Sequence, residues 1–441
     1  MIDSTALTRI QSIILIAIII VAAVTGIAYV WFNGDDESSD TIKIGILADL
    51  GTPRGKSAIQ GAKLAAEQLN SLGGILGRKV EVIGADHDIE SGPGPDMFKV
   101  SSALTRLITS DKVDFIFGQA PGEAGTICQN IVSEHKKIFF GFGGVSDDWG
   151  KHVLEDYNKY KYYFNLVNNQ TIGFKGIPDS LYFFRENTGF NKVALLGEDM
   201  YLKGSLIEAF KNILTNVYGF EVVYGQSFTI DTVDFSSYFA AAEASGAEIM
   251  VPFIGGDSGI AFIKEYYDRQ APMLIYSGIL SVAASPECWE WTDEKCEHIS
   301  VSAYPAVVGY PLTNITLLTR DAYRERWNED LSSTAVSVYD AIRFILYDAI
   351  QRAGTLETDS VINALENTSI ETSSARNFAF TSSHDLKFGD YINDPDDDYQ
   401  VIIIFQWQNG KQIPVWPKKI MEDAEATYVF PPWRGPWDNS S

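Results

Sequence analysis

Four clusters in this chain have residue types and spacings that could do chemistry. Leu50-Gly51-Thr52-Pro53-Arg54-Gly55-Lys56-Ser57 ends in Gly-Lys-Ser between a strand-like and a helix-like run, where a phosphate-binding loop would stand. Such a loop opens on a glycine so that backbone amides can close around phosphate, and Leu50 occupies that position. Gly141-Phe142-Gly143 begins a dinucleotide fingerprint, but the third glycine position is Ser146. Asp394, Asp396 and Asp398 alternate like the start of a calcium loop, yet no Glu closes it at the twelfth position, so a solvated hairpin tip is expected. Cys288 and Cys296 flank a Trp-rich stretch, CWEWTDEKC. In an oxidising compartment they can close a small disulfide loop. Zinc is the alternative, but two thiols with only His298 nearby leave the tetrahedron incomplete.

Catalytic signatures are missing: the chain has no G-x-S-x-G, H-E-x-x-H or C-x-x-C, and its five His are scattered. An enzyme is not expected, and neither is a cofactor. Cys128, inside the helix-like run AGTICQNIVSEHK, reads as a small buried apolar residue rather than a nucleophile. The formal charge of −24 excludes a nucleic-acid partner, since phosphate backbones are bound by Lys and Arg clusters. With 46% hydrophobic and 21% charged residues over 441 positions, there is material for more than one compact unit. Asn169, Asn314, Asn367 and Asn439 head N-x-S/T triplets compatible with glycosylation outside a cell.

The elements that must position any site begin with a membrane segment. Ile10 to Phe32 is almost uninterruptedly apolar and long enough to span a bilayer core of ~20 helical residues. Arg9 precedes it; Asp35, Asp36, Glu37 and Asp40 follow. The positive-inside rule then puts residues 1–9 in the cytoplasm, 33–40 outside as a tether, and the rest of the chain extracytoplasmic. A cleavable signal peptide is the rival reading, but Tyr29-Val30-Trp31-Phe32 continues the apolar run past the small residues.

From Thr41 the chain alternates strands and helices. Strands are expected at 42–47, 79–85, 113–117 and 138–142, with helices between, and the series restarts after Phe164 with strands at 192–196, 221–228, 248–253 and 273–276. Such a series implies parallel sheets with helices on both faces. A helical stretch from Asp321 to Ala353, a helix near Ser360 to Glu366 and a strand from Tyr399 to Trp407 turning at Asn409-Gly410 complete the chain.

The order of several segments resembles a known family. IKIGILADL followed by GAKLAAEQLNSLGGILGRKVEVIGADHD is similar to the opening of Leu/Ile/Val-type (branched-chain amino acid) substrate-binding proteins of ABC transporters. VDFIFGQAPGEAG, NKVALLGEDMYLKGSLIEAFKNIL and YQVIIIFQWQNGKQIPVWP resemble that family's first-lobe ligand loop, second-lobe opening and closing strands. The resemblance implies an α/β fold of two doubly wound parallel-sheet lobes joined by a three-crossover hinge, the type I periplasmic-binding fold. Lobe one would hold 41–164 and 301–367, lobe two 165–300 and 368–417, leaving 418–441 as a tail.

It further implies a small-molecule solute caught between the lobes and handed to an ABC permease; a sensor ectodomain acting through a separate membrane partner is the alternative. Ligand-binding positions carried over are Gly122, Gly143, Gly144, Val145 and Ser146 in lobe one, with Tyr201, Asp257 and Gly278 in lobe two. Amino-acid binders of the family place a Glu after the strand ending at Tyr276 to pair with the ligand ammonium. Here the residues are Ser277-Gly278-Ile279-Leu280, with no acid until Glu287. A desolvated ammonium without a partner is costly. Either Glu123, Glu198, Asp199 or Asp257 substitutes, or the ligand is not an α-amino acid.

Overall fold

The computed structural model describes residues 41–88, 96–120, 122–144, 146–167, 169–199, 205–229, 231–256, 258–390, 394 and 397–434. The apolar run Ile10–Phe32 lies outside them, and among the described residues no helix is long and apolar enough to cross a membrane.

The first lobe is a five-stranded parallel sheet in the order β2-β1-β3-β4-β5. Its strands are β1 (Thr41–Ala48), β2 (Lys79–Asp86), β3 (Phe115–Gln119), β4 (Phe139–Phe142) and β5 (Tyr163–Asn165). β3 and β4 are buried at every position, as strands covered on both faces must be. Phe117, Phe140 and Phe164 form a ladder on one face, with ring centroids 4.7 and 5.8 Å apart. The helix Pro53–Ser71 starts on a Thr52 cap whose hydroxyl accepts the Gly55 N–H, with Pro53 at the first helical position. Gly61 is required there: a Cβ would stand 2.4 Å from the Ala335 carbonyl of a crossing helix.

The second lobe repeats the arrangement with β6 (Lys192–Glu198), β7 (Glu221–Phe228), β8 (Ile249–Ile254), β9 (Leu274–Ile275) and β10 (Ile279–Leu280). The order is β10-β8-β6-β7, with β9 also pairing β8, all parallel. Alternate residues of β6 and β8 serve two cores, Ala194, Leu196 and Met250 on one face and Val193, Leu195 and Val251 on the other. A third, antiparallel sheet joins β11 (Ser300–Ala303), β12 (Ile403–Gln408) and β13 (Lys411–Trp416). Asn409 and Gly410, both at positive φ, make the hairpin turn that the dipeptide predicts.

Three expectations are corrected. The boundary at Asn367 falls too early: Ala375, Phe378, Phe380 and Leu386 pack in the first-lobe core, so the chain crosses back only near Gln400. The long C-terminal helix is broken at Asn328, which is left-handed (φ +51°), and restarts at Ser333 on a Ser332 cap. Residues 418–434 are not a free tail: a short helix, Lys418–Asp423, leads into a segment whose Tyr428, Phe430 and Trp433 pack on the second lobe.

Candidate functional site

The carboxyl ends of parallel strands are where open α/β sheets bind ligands, and the loops that follow β3, β4 and β8 there carry Gly122, Gly143-Gly144 and Gly255-Gly256. In lobe one the helix Glu123–His135 follows β3 through Gly122, an exposed residue at φ +54° with open space around it. After β4, Gly143 adopts φ +88° beside Gln119, whose Cγ would lie 2.9 Å from any Cβ placed there. Gly144 is partly exposed, and Ser146 caps the helix Asp147–Glu155, its hydroxyl oxygen accepting the Asp148 N–H at 3.2 Å. That hydroxyl still has its own proton to donate. The next residue, Asp147, reaches across to the first helix of lobe two (Gln170–Thr188), accepting the Thr171 N–H at 2.9 Å and its hydroxyl at 2.6 Å. The loop after β4 and the first helix of lobe two are thereby tied together next to a crossover.

In lobe two, the acid that closes β6 has structural partners. Glu198, closing β6, accepts the Gly255 N–H at 2.8 Å, the Gly256 N–H at 3.1 Å and the Ser258 hydroxyl, and so anchors the loop after β8. Asp199 and Glu123 are exposed. Ser277 is fully buried at φ +65°, and its hydroxyl lies 2.8 Å from that of Ser180. Gly278 follows at φ +76°: a Cβ there would stand 2.2 Å from the Pro252 carbonyl, and its own carbonyl accepts the Ser302 N–H at 3.2 Å. Gly278 is therefore a close approach of two backbones, and no acid side chain fits at this position.

Val145, Tyr201 and Asp257 lie outside the described residues. The structure places Gly122, Gly143, Gly144 and Ser146 on the two loops at the carboxyl edge of the first sheet, and Gly278 buried just before β10, against Pro252 within β8 of the second. Sequence reasoning missed Gln119, the last residue of β3. It is fully buried, with neither amide atom hydrogen-bonded, and its carbonyl lies 2.7 Å from His87 Nε2. The bond between Asp147 and Thr171 was missed as well; an acid in a helix's first turn reads locally as a cap, and no sequence spacing announces a partner 24 residues on.

Cys288 and Cys296 are both buried free thiols in the same second-lobe core as Trp407, whose ring stacks on Trp289, and the neighbouring Cys296 and burial push the Cys288 thiol pKa up. Among the described residues no cluster of three or more His, Cys, Asp or Glu could hold a metal ion. His298 instead packs its ring against Trp433. Cys128 is buried without exposure, and that burial pushes its thiol pKa up, away from a reactive thiolate.

The family model for periplasmic binding proteins matches residues 41–392. The chain is 22% identical over 371 residues to the Leu/Ile/Val-binding protein homolog 8 of Brucella melitensis, covering 82% of this chain and 87% of that protein. Among solved structures, a putative branched-chain amino acid ABC transporter protein from Silicibacter pomeroyi superposes with a TM-score of 0.74 at 18% identity, covering 89% of this chain and all (100%) of the other. A branched-chain amino acid transporter substrate binding protein of Streptococcus pneumoniae, solved with isoleucine, gives 0.66 at 19% identity, covering 86% of this chain and 100% of its own. An ABC transporter solute binding protein of R. palustris, solved with benzoate, gives 0.65 at 16%, covering 85% and 95%. At such identities the superpositions establish the fold: two parallel-sheet lobes of the type I periplasmic-binding kind. With the family model covering most of its length, this chain belongs to the periplasmic binding proteins, a family of extracytoplasmic solute-binding proteins and not of enzymes.

Proposed function

We propose that this chain is a membrane-anchored receptor outside the cell that delivers a small solute without a free ammonium group to an ABC permease. The observation that carries the ligand class is Gly278, where two backbones meet so closely that the family's ammonium-pairing acid has no room. Glu198, an acid that could replace it, is held by two backbone N–H groups and a hydroxyl. In lobe one, Ser146 and the amides around Gly143 and Gly144 suit a carboxylate or another hydrogen-bond acceptor. The same fold holds benzoate in the R. palustris protein, and benzoate has no ammonium. Thermal-shift screening of residues 41–441 against amino acids, amides, urea, short peptides and benzoates tests the reading. A shift with a neutral or anionic solute and none with leucine supports it, and the ligand so found should bind in the presence of a copurified permease.

Anchoring rests on Arg9, the apolar run and the acidic tether. The full chain is expected to sediment with membranes, with protease added outside the cell releasing one large soluble fragment. A mature protein beginning near Tyr29 would show instead that the segment is cleaved.

The buried contact of Cys288 and Cys296 supports their pairing as a disulfide when the protein folds outside the cell. Thr292 already closes the turn between them, donating to the Cys288 carbonyl at 2.6 Å and accepting the Cys296 N–H at 3.2 Å. Peptide mass mapping of the secreted protein without reductant should recover the two cysteines linked and Cys128 free. Alkylation of both under denaturing, non-reducing conditions would refute the pairing.

A further inference from the structure

The three chain crossings between the lobes converge on one small cavity of about 10 Å³, room for about one water molecule. Each crossing contributes a wall: Leu166 after β5, Tyr304 after β11, and Gln400 before β12. Lobe one supplies Ser337, Asp340 and Ser374. Asp340 is 2% exposed, where an ionised carboxylate is costly unless every lone pair finds a donor. Its Oδ1 accepts the Ser373 hydroxyl at 2.6 Å; its Oδ2 accepts the Ser374 hydroxyl at 2.6 Å and the Ser374 N–H at 3.1 Å.

The turn so held is itself a junction. Thr313 and Thr316 donate to the carbonyls of Thr372 and Ser373 at 2.9 and 2.8 Å. Arg376, just beyond it, pairs loosely with Asp398, just before the third crossing, and with Asp423 of the second lobe. Immediately after Asp340 the helix widens into a π turn, Ala341–Leu346, a feature common at functional positions.

We propose that Asp340 is the positioning residue of the hinge: its ionised carboxylate fixes the 372–375 turn and, across the shared cavity, the angle at which the three crossings leave lobe one. This rests on the reading of the chain as a two-lobed solute receptor. The groups facing the carboxylate are the hydroxyls of Thr372, Ser373 and Ser374 and, across the cavity, Tyr304 and Gln400. Tyr339, its helix neighbour, donates to Gln68, and Arg343 lies on the following turn. Among the described residues no Lys, Arg or His pairs with Asp340. Burial therefore prevails over the hydroxyl donors and pushes the carboxyl up to about 6.

A carboxyl raised in the folded state contributes stability that is fully present below its ordinary value near 3.8 and is lost as pH rises through about 6. Protonation also takes one acceptor site from three donors, so the turn loosens locally on the acid side even as the global balance improves.

Hydrogen–deuterium exchange of the ligand-free full chain at pH 5 and 7.5, corrected for intrinsic rates, reads the hinge directly. Peptides containing Leu166, Tyr304 and Gln400 should exchange about fivefold faster at pH 5, the worth of one hydrogen bond, while β6 and β8 stay unchanged. Asp340→Asn should remove that pH dependence; Ser374→Ala, which keeps the carboxyl, should retain it with faster exchange at both pH values. The wild-type to Asp340→Asn ratio of folding constants should fall by about a hundredfold from pH 4 to 7.5. Crossing peptides insensitive to pH in the wild type, or equally sensitive in Asp340→Asn, would overturn the hinge role. If Asp340→Asn does not fold, the wild-type and Ser374→Ala profiles decide. None of these measurements uses a solute, so they stand or fall apart from the ligand screen.

Discussion

Truncation after Ala426 should lower the melting temperature of the second lobe by about 10 °C or more while leaving the first lobe's transition in place. The removed segment covers the amino-terminal edge of the second sheet. Tyr428 meets Phe184 and Tyr276 edge-on, with ring centroids 4.9 and 5.8 Å apart, and Phe430 meets Phe190 at 6.2 Å. Trp433 meets Tyr266 and Tyr267 and donates its indole N–H to the Ala271 carbonyl at 3.1 Å. Arg434 lies over the Phe190 ring at 4.3 Å and donates to the Pro272 carbonyl. Loss of a buried aromatic costs about 3–5 kcal/mol, and these rings are half-buried, so roughly 5 kcal/mol for the set is a moderate expectation.

A second cost comes from Gln406, which is fully buried and exchanges two hydrogen bonds with the Val429 backbone, at 2.8 and 2.9 Å. Truncation leaves that amide's acceptor and donor with fewer partners in the interior. Scanning calorimetry of residues 41–426 beside 41–441 checks the result. Coincident melting of the two proteins would mean that the segment adds nothing to the fold.

The segment also shows why part of the fold was legible in the sequence and part was not. The βα alternation was readable because buried parallel strands are short apolar runs, such as FIFG and IMVPFI, punctuated by glycine-rich loops. The hairpin was readable because Asn409-Gly410 demands two left-handed residues. By contrast, Tyr428-Val429-Phe430 is only three residues long and is cut off from Trp433 by Pro431-Pro432, too short a run to announce an element, so only the destination of these rings reveals their role. Helix Gln170–Thr188 carries Pro178 in its interior, a residue that on local rules ends a helix. The lobe boundary near Gln400 was hidden because residues 370–386 make isolated bridges, not strands. At the candidate site, the glycines were visible but their duties were not. Gly278 reads like any turn glycine until the Pro252 carbonyl is seen above it, and Glu198 reads as a free acid until Gly255, Gly256 and Ser258 are found holding it.

Those two observations set the largest functional expectation: free leucine, isoleucine and valine should bind at least a hundredfold more weakly than the protein's own solute. A buried ammonium deprived of its partner costs about 3–5 kcal/mol, and each 1.4 kcal/mol is about a factor of ten in affinity. Restoring the acid by Gly278→Glu should not rescue leucine binding. The residue sits at φ +76°, where any side chain is strained, and the Cβ would collide with a backbone carbonyl that cannot rotate away. The variant is expected to lose stability rather than gain a ligand, which separates this site from one where an acid was merely exchanged. Ser146→Ala should weaken the native solute about fivefold or more through the lost hydroxyl donor, with about 1 kcal/mol of helix-cap stability lost besides. Tyr201→Ala should weaken the same solute while leaving the melting temperature near that of the wild type. Isothermal titration with leucine and with the best solute from the screen decides the matter. Micromolar or tighter leucine binding that disappears in Asp257→Asn would overturn the ligand class and make Asp257 the acid that replaces the one missing at Gly278.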